Sequence, residues 1–425
     1  MEFTRPRGTR DFLFDEMENR KEVEKTLRRV FENYAYREIK TPIFENLSLF
    51  TTKSGEQILD QLYNFEDKSN RELTLRPEIT APIARLYLNE MQKTPKPIKL
   101  YYFGSCFRYE RPQKGRFRQF WQFGCENIGA KSPEAEAEII AMANHSLNEL
   151  KINDAEIHIN HLGIIRGIFK HFQTPQDIQD KIMLLIDKGE KENLKGYLNE
   201  LENQSKELEE ILVQLIEFVG NENIIEKIEE LLTNIDEIKP ALGEFKQLTK
   251  LLAIFNLKNY TLNLSVARGL DYYTGIVFEI YIPSLGAQKQ VAGGGTYSLI
   301  EIFGGEKIES TGFAFGFDRL MNGINEEKKE KSRVDVYVAP ISENTREKSF
   351  EIGQTLRRAN ISVEIDLSRK KFKKLINIAN KLNVKYLIAI GEKDLKENSI
   401  TIKDMKTGNQ ELVKIEEIVE YIGEK

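Results

Sequence analysis

The segment FRYERPQKGRFRQFWQFGCENIG, residues 107–129, constrains the fold more than any other stretch of the sequence. Its two arms have the alternating apolar and polar pattern of β-strands, and Pro112 and Gly115 lie between them. A turn at that point makes the arms neighbouring antiparallel strands. The chain therefore has to contain a sheet with this hairpin in it.

The charge of the hairpin suggests what it binds. From Arg108 to Arg118 there are five cations and one carboxylate, Glu110. Because side chains alternate along a strand, Arg108 and Glu110 face the same side, as do Phe120, Gln122 and Glu126 on the returning arm. Arginine binds two phosphate oxygens at once, and an aromatic ring stacks on a nucleobase. The alternative is a surface hairpin with solvated arginines at a sheet edge.

The rest of the sequence predicts several domains, because 425 residues are too many for one core. Residues 14–34 have helical periodicity, and REIKTPIFE contains Pro42, which favours an edge or interface strand. ELTLRP and IKLYYFGSCFRYE read as further antiparallel strands. SPEAEAEIIAMANHSLNEL reads as a helix capped by Ser132. Glu134 and Glu136 then lie near its positive end.

A change of pattern divides the chain further. Residues 172–258 contain no His, Cys or Trp. Their long runs of mixed polar and apolar residues predict helices. Strand patterns resume after 258, so this segment is predicted to be a helical insertion. We expect a catalytic core over 1–171 and 259–326, the insertion over 172–258, and a third domain over 334–425 after a polar linker.

In the third domain, VDVYVAP, ISVEID and KYLIAIG alternate with helical stretches and SITIKDM follows, which predicts a small parallel-type sheet covered by helices. The complete fold class is an α+β core on a mixed, mainly antiparallel sheet, with a helical insertion and a C-terminal α/β domain. A helix start in this domain has a basic patch, which could bind backbone phosphates or be a solvated face: Arg369, Lys370, Lys371, Lys373 and Lys374.

Composition excludes some functions. The net charge is -5, so a polyanion has to be met by local patches. No signal peptide or apolar run of about 18 residues occurs, and we expect a cytoplasmic protein that does not bind membranes. Cys106 and Cys125 are too few for a zinc site, and the four histidines complete no ligand set. We therefore predict no metal site built from protein side chains.

Three other motifs contain candidate site residues. RGLDYYTG places Arg268 near Tyr272 and Tyr273, although an Arg268–Asp271 pair with core tyrosines is as good an explanation. LTLRPEITAP ends a strand with Glu78 and Thr80, suited to an ammonium group or to a plain strand-end salt bridge. AGGGTYS allows a ligand close to the backbone, or is a simple turn. Neither a P-loop nor a dinucleotide fingerprint occurs.

Together these motifs resemble class II aminoacyl-tRNA synthetases, and specifically the histidyl-tRNA synthetase family. REIKTPIFENLSLF resembles motif 1 of the class, the 107–129 hairpin motif 2, and GFAFGFDRL motif 3. RGLDYYTG resembles the signature specific for histidine, and RGTRDF and GEKDLKENSITIKDMKTGNQ also resemble this family. The likeness covers nearly the whole chain and is weakest in the insertion.

The resemblance implies a role for each matching residue. ATP would be bound by Arg108, Glu110, Arg116, Phe120 and Arg319, with Phe120 on the adenine ring. Histidine would be bound by Glu78, Ile79, Thr80, Arg108, Gln122, Glu126, Arg268, Tyr272 and Tyr273, with Glu126 and Tyr273 on the imidazole. The catalytic residues would be Arg268 and Arg108, stabilising charge on the α-phosphate. Gln113 and Arg116 would contact the tRNA acceptor end.

The sequence also departs from the family. Thr296 and Ser298 occupy the GGGTYS motif where many members have Arg and Asp. Asp318 replaces a common glutamate in motif 3, and Trp121 replaces a frequent histidine. Ile79 stands where glycine is often found. The change at residues 293–298 concerns the wall of the expected pocket, and the change at Asp318 is milder.

The predicted reaction is that of a histidine–tRNA ligase, which joins L-histidine to tRNA(His) through histidyl-adenylate. ATP is a substrate, Mg²⁺ accompanies it, and no tightly bound cofactor is expected. The resemblance implies a homodimer, with Pro42 at the interface. The alternative is the non-catalytic regulatory paralogue of ATP phosphoribosyltransferase, which typically lacks the anticodon-binding domain. Arg108, Arg268, Arg319 and residues 334–425 favour the ligase.

Overall fold

The computed structural model describes residues 3–54, 56–109, 117–200, 206–267, 272–324 and 334–423. The chain divides into two compact units, Met1–Asn325 and Glu326–Lys425. The domain boundaries predicted inside the first unit remain a prediction.

The first unit is built on a sheet that, over the described residues, has nine strands in the order β1-β5-β6-β12-β11-β10-β7-β9-β8. The β1–β5 and β7–β9 pairs are parallel and the others antiparallel, which confirms the mixed, mainly antiparallel core. These strands are β1 (Arg37–Glu38), β5 (Ile98–Phe107), β6 (Gln119–Ile128), β7 (Glu156–His161), β8 (Val219–Gly220), β9 (Thr261–Asn263), β10 (Tyr273–Tyr281), β11 (Gln290–Tyr297) and β12 (Ser310–Gly316).

A smaller sheet precedes the large one in sequence. It has the order β2-β4-β3, from strands β2 (Phe44–Asn46), β3 (Tyr63–Glu66) and β4 (Glu72–Leu75). Arg76, directly after β4, is buried and donates hydrogen bonds to the carbonyls of Thr41, Pro42 and Ser105. These contacts tie the extended Pro42 segment to β5, so the segment is held although Pro42 itself donates no backbone bond.

Helices cover the large sheet. The first, α1, buries Val23, Leu27 and Val30, whose spacing of three and four residues places them on one face of the helix. The helices of the first unit before the insertion are α1 (Phe14–Asn33), α2 (Ser48–Ser54), α3 (Thr80–Leu86), α4 (Glu134–Glu149) and α5 (Leu162–His171); α11 (Leu299–Ile302) and α12 (Phe317–Gly323) follow it. Shorter helical turns cover Glu56–Gln61, Tyr87–Met91, Asp236–Ile238 and Pro283–Gln288.

The predicted cap of α4 is wrong. The helix begins at Glu134 with Pro133 as its N-cap, and Ser132 makes no cap bond. Glu134 and Glu136 do lie in the first turn of the helix, as predicted, but the surroundings of Glu136 were not foreseen. Glu136 is buried, and it accepts a hydrogen bond from Thr296 of β11. A tertiary contact therefore decides where this carboxylate lies.

The insertion is helical as predicted, with one exception. Its helices are α6 (Gln176–Asp187), α7 (Lys191–Asn199), α8 (Lys206–Leu215), α9 (Asn223–Leu231) and α10 (Lys239–Ile254). Between α8 and α9, the two-residue strand β8 pairs with β9 and completes the large sheet. Two residues are too few to show a strand period, so the sequence pattern did not reveal this strand.

The second unit has five strands among its described residues, in the order β14-β13-β15-β16-β17. β13 is parallel to β14 and β15 as predicted, but β16 and β17 are antiparallel, so the sheet is mixed. The strands are β13 (Val336–Pro340), β14 (Val363–Ile365), β15 (Tyr386–Ile390), β16 (Ser399–Asp404) and β17 (Gln410–Lys414). The helices are α13 (Arg346–Arg358), α14 (Phe372–Lys381), α15 (Glu392–Lys396) and α16 (Ile418–Gly423), with short turns at Glu343–Thr345 and Ile415–Glu417.

The basic patch of this unit lies at the beginning of α14. The helix begins at Phe372, later than the predicted start, so Arg369, Lys370 and Lys371 precede it and Lys373 and Lys374 are in its first turn. All five side chains are exposed. Among the residues described in both units, no helix is long and apolar enough to cross a membrane.

Candidate active site

A cavity of about 870 Å³ lies over the large sheet. Its walls come from separate parts of the chain: the start of α3, strands β6, β10, β11 and β12, and residues of the insertion. It brings together seven of the residues predicted from the sequence, namely Glu78, Thr80, Arg108, Gln122, Glu126, Tyr272 and Tyr273. Residues far apart in sequence thus form a single polar pocket.

Glu126 is the most deeply buried carboxylate of this cavity, with 1% of its surface exposed. Tyr102 Oη donates to its Oε1 at 3.5 Å. Within the described part of the chain, Glu126 Oε2 and the hydroxyl of Tyr297 are buried without a hydrogen-bond partner. Burial raises the pKa of Glu126 to about 8, and the charge of Glu78 acts in the same direction, while the Thr80, Tyr297 and Tyr102 hydroxyls oppose it.

Two glycines provide the space around this carboxylate. Gly124 lies opposite Tyr102, and a methyl group there would stand 2.6 Å from the tyrosine oxygen. A methyl group on Gly312 would collide with Glu126 Oε2. The two glycines therefore leave room for the side chains of Tyr102 and Glu126, which a larger residue would displace.

Glu78 and Thr80 form another wall, at the first turn of α3. The Glu78 carboxylate accepts hydrogen bonds from the backbone N–H groups of Thr80, at 2.5 Å, and Ala81, at 3.2 Å. These bonds fix the carboxylate at the positive end of the helix. Ile79, also predicted for this site, is buried in an apolar cluster with Ile83 and Cys106.

A second, narrower cavity of about 180 Å³ adjoins the first and shares Arg108, Gln122, Gln290, Gly293 and Ala314 with it. Phe120 and Arg319 line this cavity together with Trp121 and Asp318. The Arg108 guanidinium lies 5.3 Å from the centre of the Phe120 ring, and Arg108 Nε donates to the Pro77 carbonyl at 3.0 Å. Arg319 Nη1 donates to the Gln290 carbonyl at 2.9 Å. Two arginines and an aromatic ring thus surround a slot suited to a flat, anionic ligand.

Two further polar residues, the buried Asn160 and the exposed Arg166, hold the walls in place. Asn160 donates to the carbonyls of Leu264 and Val266, the stretch that precedes residues 268–271. Arg166 donates to the Tyr273 carbonyl at 2.6 Å, at the beginning of β10. Neither residue lines the large cavity, so both act by positioning the chain that does.

Four predicted residues lie outside the described residues: Arg268, Glu110, Gln113 and Arg116. Their roles remain predictions. The structure adds Tyr102 and Tyr297, which the sequence interpretation did not select. Tyr102 in β5 has the same alternation as Arg108, which directly follows this strand, so Tyr102 could have been found. Tyr297 depends on the pairing of β10 with β11, for which no local signal exists.

The arrangement of carboxylates in the large cavity limits how a cation could bind there. Among the described residues no group of three or more His, Cys, Asp or Glu side chains is arranged to hold a metal ion. Glu279 on β10 lines the cavity, and it accepts hydrogen bonds from Gln290 Nε2, at 2.5 Å, and from Tyr281. A single carboxylate of this kind suits a cation that is bound mainly by the oxygens of a ligand.

Comparison with known proteins agrees with this architecture. The family model described as "Histidyl-tRNA synthetase" matches residues 8–320, and that described as "Anticodon binding domain" matches residues 335–425. The chain is similar to the histidine–tRNA ligase of Methanocaldococcus jannaschii, with 43% identity over 99% of both chains. It is 44% identical to that of Archaeoglobus fulgidus, over 98% of this chain and 99% of the relative.

Solved structures show the same fold. The apo histidyl-tRNA synthetase of S. aureus has a TM-score of 0.76 and 28% identity, covering 99% of this chain and 100% of that one. A histidyl-tRNA synthetase from Nostoc has a TM-score of 0.81 at 23% identity, covering 100% and 99% of the two chains. A Bacillus halodurans protein is described as an ATP phosphoribosyltransferase regulatory subunit/histidyl-tRNA synthetase. Its TM-score is 0.79 at 23% identity, and the match covers 92% of this chain and 98% of that one.

The mixed sheet with its two adjoining cavities, together with a separate C-terminal unit, defines a class II aminoacyl-tRNA synthetase. Within that class the family matches are specific. The chain belongs to the histidyl-tRNA synthetase family. The predictions of family, fold class and enzyme class are confirmed, and the regulatory paralogue is not favoured, because the ligase relatives match along nearly the whole chain.

Proposed function

We propose that this protein is a histidine–tRNA ligase that makes histidyl-adenylate and pyrophosphate from L-histidine and ATP, and then transfers the histidyl group to the 3′ end of tRNA(His). One observation carries the proposal of the amino acid. The floor of the cavity holds a buried carboxylate oxygen and a buried phenol, Glu126 Oε2 and Tyr297 Oη, that lack partners among the described residues. The two groups also act on each other's pKa, and a ligand that both donates and accepts hydrogen bonds would give each of these atoms a well-formed partner.

Imidazole meets this requirement. Its neutral form has one N–H donor and one acceptor nitrogen, so Glu126 and a phenol of Tyr297 or Tyr273 can satisfy both edges. An analogue without these nitrogens would leave the buried oxygens unpaired. Discrimination of this type reaches factors on the order of 10⁴. The cavity would therefore select histidine over apolar amino acids of similar size.

The amino-acid backbone of histidine would bind near Glu78, Thr80 and Gln122. Glu78 stands at the wall of the cavity and is a carboxylate suited to an ammonium group. Arg108 is shared by the two cavities, and it would therefore contact both the histidine carboxylate and the α-phosphate. This shared position supports its proposed role as a catalytic residue.

ATP would occupy the narrower cavity, with adenine on Phe120 and Arg319 on the other side. Glu110 and Arg116 are proposed to contact the adenine edge and the phosphates, and Arg268 to act as the second catalytic residue. The histidine carboxylate attacks the α-phosphorus, and the bond to pyrophosphate breaks. Positive groups that stabilise the developing charge are sufficient for this step, so no protein base is needed.

Mg²⁺ is proposed to accompany ATP. When bound it would neutralise charge on the phosphate oxygens. Glu279 is the residue that would help to hold it, because its carboxylate lines the cavity beside Gln290. No tightly bound cofactor is proposed.

The proposed partners are tRNA and a second copy of the chain. Gln113 and Arg116 are proposed to contact the tRNA acceptor end, and insertion residues Lys188 and Lys191 line the large cavity, which supports entry of a polyanion from that side. The five basic residues at α14 are proposed to bind tRNA backbone phosphates. A homodimer is proposed because Ile43 and Phe44, next to Pro42, are exposed apolar residues in an extended segment. A cytoplasmic location without membrane binding is also proposed.

Amino-acid-dependent ATP–pyrophosphate exchange tests the first step. Exchange should rise above background with histidine and with no other of the standard amino acids, and Glu126→Gln should reduce it strongly. Background exchange with every amino acid would contradict the proposal and agree with a regulatory paralogue. Charging of tRNA(His) transcripts with and without an extra 5′ guanosine then tests the transfer step.

A further inference from the structure

A buried ion pair connects the first helix to the nucleotide cavity. Arg20 of α1 donates from Nη1 to Asp318 Oδ1 at 2.9 Å, and the two residues are 6% and 5% exposed. They are 298 positions apart in the sequence. Asp318 belongs to the motif 3 segment and lines the narrower cavity, whereas Arg20 does not line it. Arg20 therefore acts on the cavity only through Asp318 and its other neighbours.

Arg20 is held in a cage of three aromatic rings. Its guanidinium lies 4.0 Å from the ring centre of Phe12, 4.9 Å from that of Phe317 and 5.1 Å from that of Trp121. Phe12 belongs to the RGTRDF segment and also packs edge-on against Trp121 at 5.3 Å. This arrangement gives the N-terminal segment a specific task, which is to close the cage around the cation.

The second oxygen of Asp318 connects the ion pair to the hairpin. Asp318 Oδ2 accepts a hydrogen bond from the backbone N–H of Trp121 at 2.8 Å. Trp121 directly follows Phe120 on β6, and Asp318 directly precedes Arg319 on α12. The Asp318 carboxylate therefore joins the two elements whose next residues line the cavity proposed for ATP.

We propose that Arg20 is a positioning residue that fixes the spacing between Phe120 and Arg319 through Asp318, and thereby sets the affinity for the nucleotide. The inference rests on the proposed function for the identity of that nucleotide. Without Arg20, the buried Asp318 carboxylate would lack its cation and would move toward water. A misplacement of about 1 Å in a binding group can cost on the order of 100-fold in rate.

The test separates binding of ATP from binding of histidine. Arg20→Met keeps most of the side-chain volume and removes the charge. In histidine-dependent ATP–pyrophosphate exchange it should raise the KM for ATP about tenfold or more, and change the KM for histidine by less than about twofold. A general loss of folded enzyme would lower kcat without this difference between the two KM values.

Two further variants complete the design. Arg29, which is on α1 like Arg20, forms an exposed ion pair with Glu149 of α4, and Arg29→Met should leave both KM values unchanged. Arg20→Lys keeps the charge without the planar fork, and it should raise the KM for ATP by about threefold. If Arg20→Met does not fold, the KM values of Arg20→Lys for ATP and for histidine test the positioning role instead.

The outcomes are distinct. An unchanged KM for ATP in the folded Arg20 variants, or equal increases for ATP and histidine, would overturn the positioning role. Wild-type protein without histidine-dependent exchange would instead contradict the proposed function. The two failures are therefore told apart by the wild-type measurement.

Discussion

Thr296 Oγ1 donates a 2.8 Å hydrogen bond to Glu136 Oε1, on β11 and α4 respectively. Thr296 precedes Tyr297, which lines the large cavity, so the bond anchors the strand that carries this phenol. Burial raises the pKa of Glu136, and the Thr296 hydrogen bond opposes the shift. A neutral hydroxyl at position 296 is thus paired with a buried carboxyl group.

Thr296→Val should destabilise the protein, because it leaves a buried carboxyl group without its donor. The expected loss in the free energy of unfolding is about 1–3 kcal/mol. The hydroxyl stabilises the ionised form, so its removal raises the pKa of Glu136 further. The loss should therefore be larger at pH 8 than at pH 5. Urea unfolding measures it, and Thr26→Val on the exposed side of α1 is the control. Equal losses for the two variants would contradict the role of Thr296.

Glu126 predicts a pH dependence of stability. Its pKa in the folded protein is raised to about 8, so between the ordinary value of 4.5 and 8 the unfolded chain releases a proton that the folded chain retains. The free energy of unfolding should fall through this range, by up to about 1.4 kcal/mol per pH unit from this group. Glu126→Gln removes the effect and should gain stability relative to wild type as the pH rises.

Glu217→Gln is a control of opposite sign for that experiment. A hydrogen bond and the charge of Lys191 lower the pKa of Glu217, so its contribution is present above the ordinary pKa and is lost as the pH falls below it. This variant should lose a small amount of stability at neutral pH. If both variants show the same slope against pH, Glu126 is not the group responsible.

Gly312→Ala should prevent histidine binding. The new methyl group would overlap Glu126 Oε2 and lie 2.5 Å from the Cys125 carbonyl, so the carboxylate has to move. We expect exchange activity with histidine to fall by a factor on the order of 100. Gly243→Ala is a matched control, because nothing lies within 4 Å of a methyl group there and the residue is in helix α10. It should retain activity and gain up to about 1 kcal/mol in stability.

The basic patch predicts a salt effect on tRNA charging. Lys373→Gln combined with Lys374→Gln should raise the KM for tRNA, and reduce the slope of log affinity against log salt concentration by about 1 per lysine. Histidine-dependent exchange without tRNA should stay at the wild-type level. Lys385→Gln is the control, since Lys385 pairs with Asp335 at 2.9 Å. An unchanged slope would show that the patch is a solvated helix face.

Local patterns predicted what depends on local geometry. Strand alternation placed Gln122 and Glu126 on the cavity side of β6, and helical periodicity gave α1 within one residue of its end. Strand alternation would equally have placed Tyr102 on the cavity side of β5. The motifs of the resemblance supplied the family, which no periodicity could have given.

Long-range pairings account for what was missed. Glu136 and Thr296 are 160 positions apart, so the sequence near Glu136 predicted its place in the first turn of α4 but not its hydrogen bond to Thr296. The Arg20–Asp318 pair joins residues with no shared local pattern. Such contacts depend on how sheet and helices pack, and a single sequence contains no periodic signal for them.

The pairing of Val219–Gly220 with β9 has a consequence for any shortened form of this chain. The insertion supplies the outermost strand of the sheet, so deleting it would leave the backbone N–H and C=O groups of β9 open on that side. An uncovered edge of this kind recruits strands from other molecules. A shortened form without the insertion would therefore need another segment to cover β9 in place of Val219–Gly220.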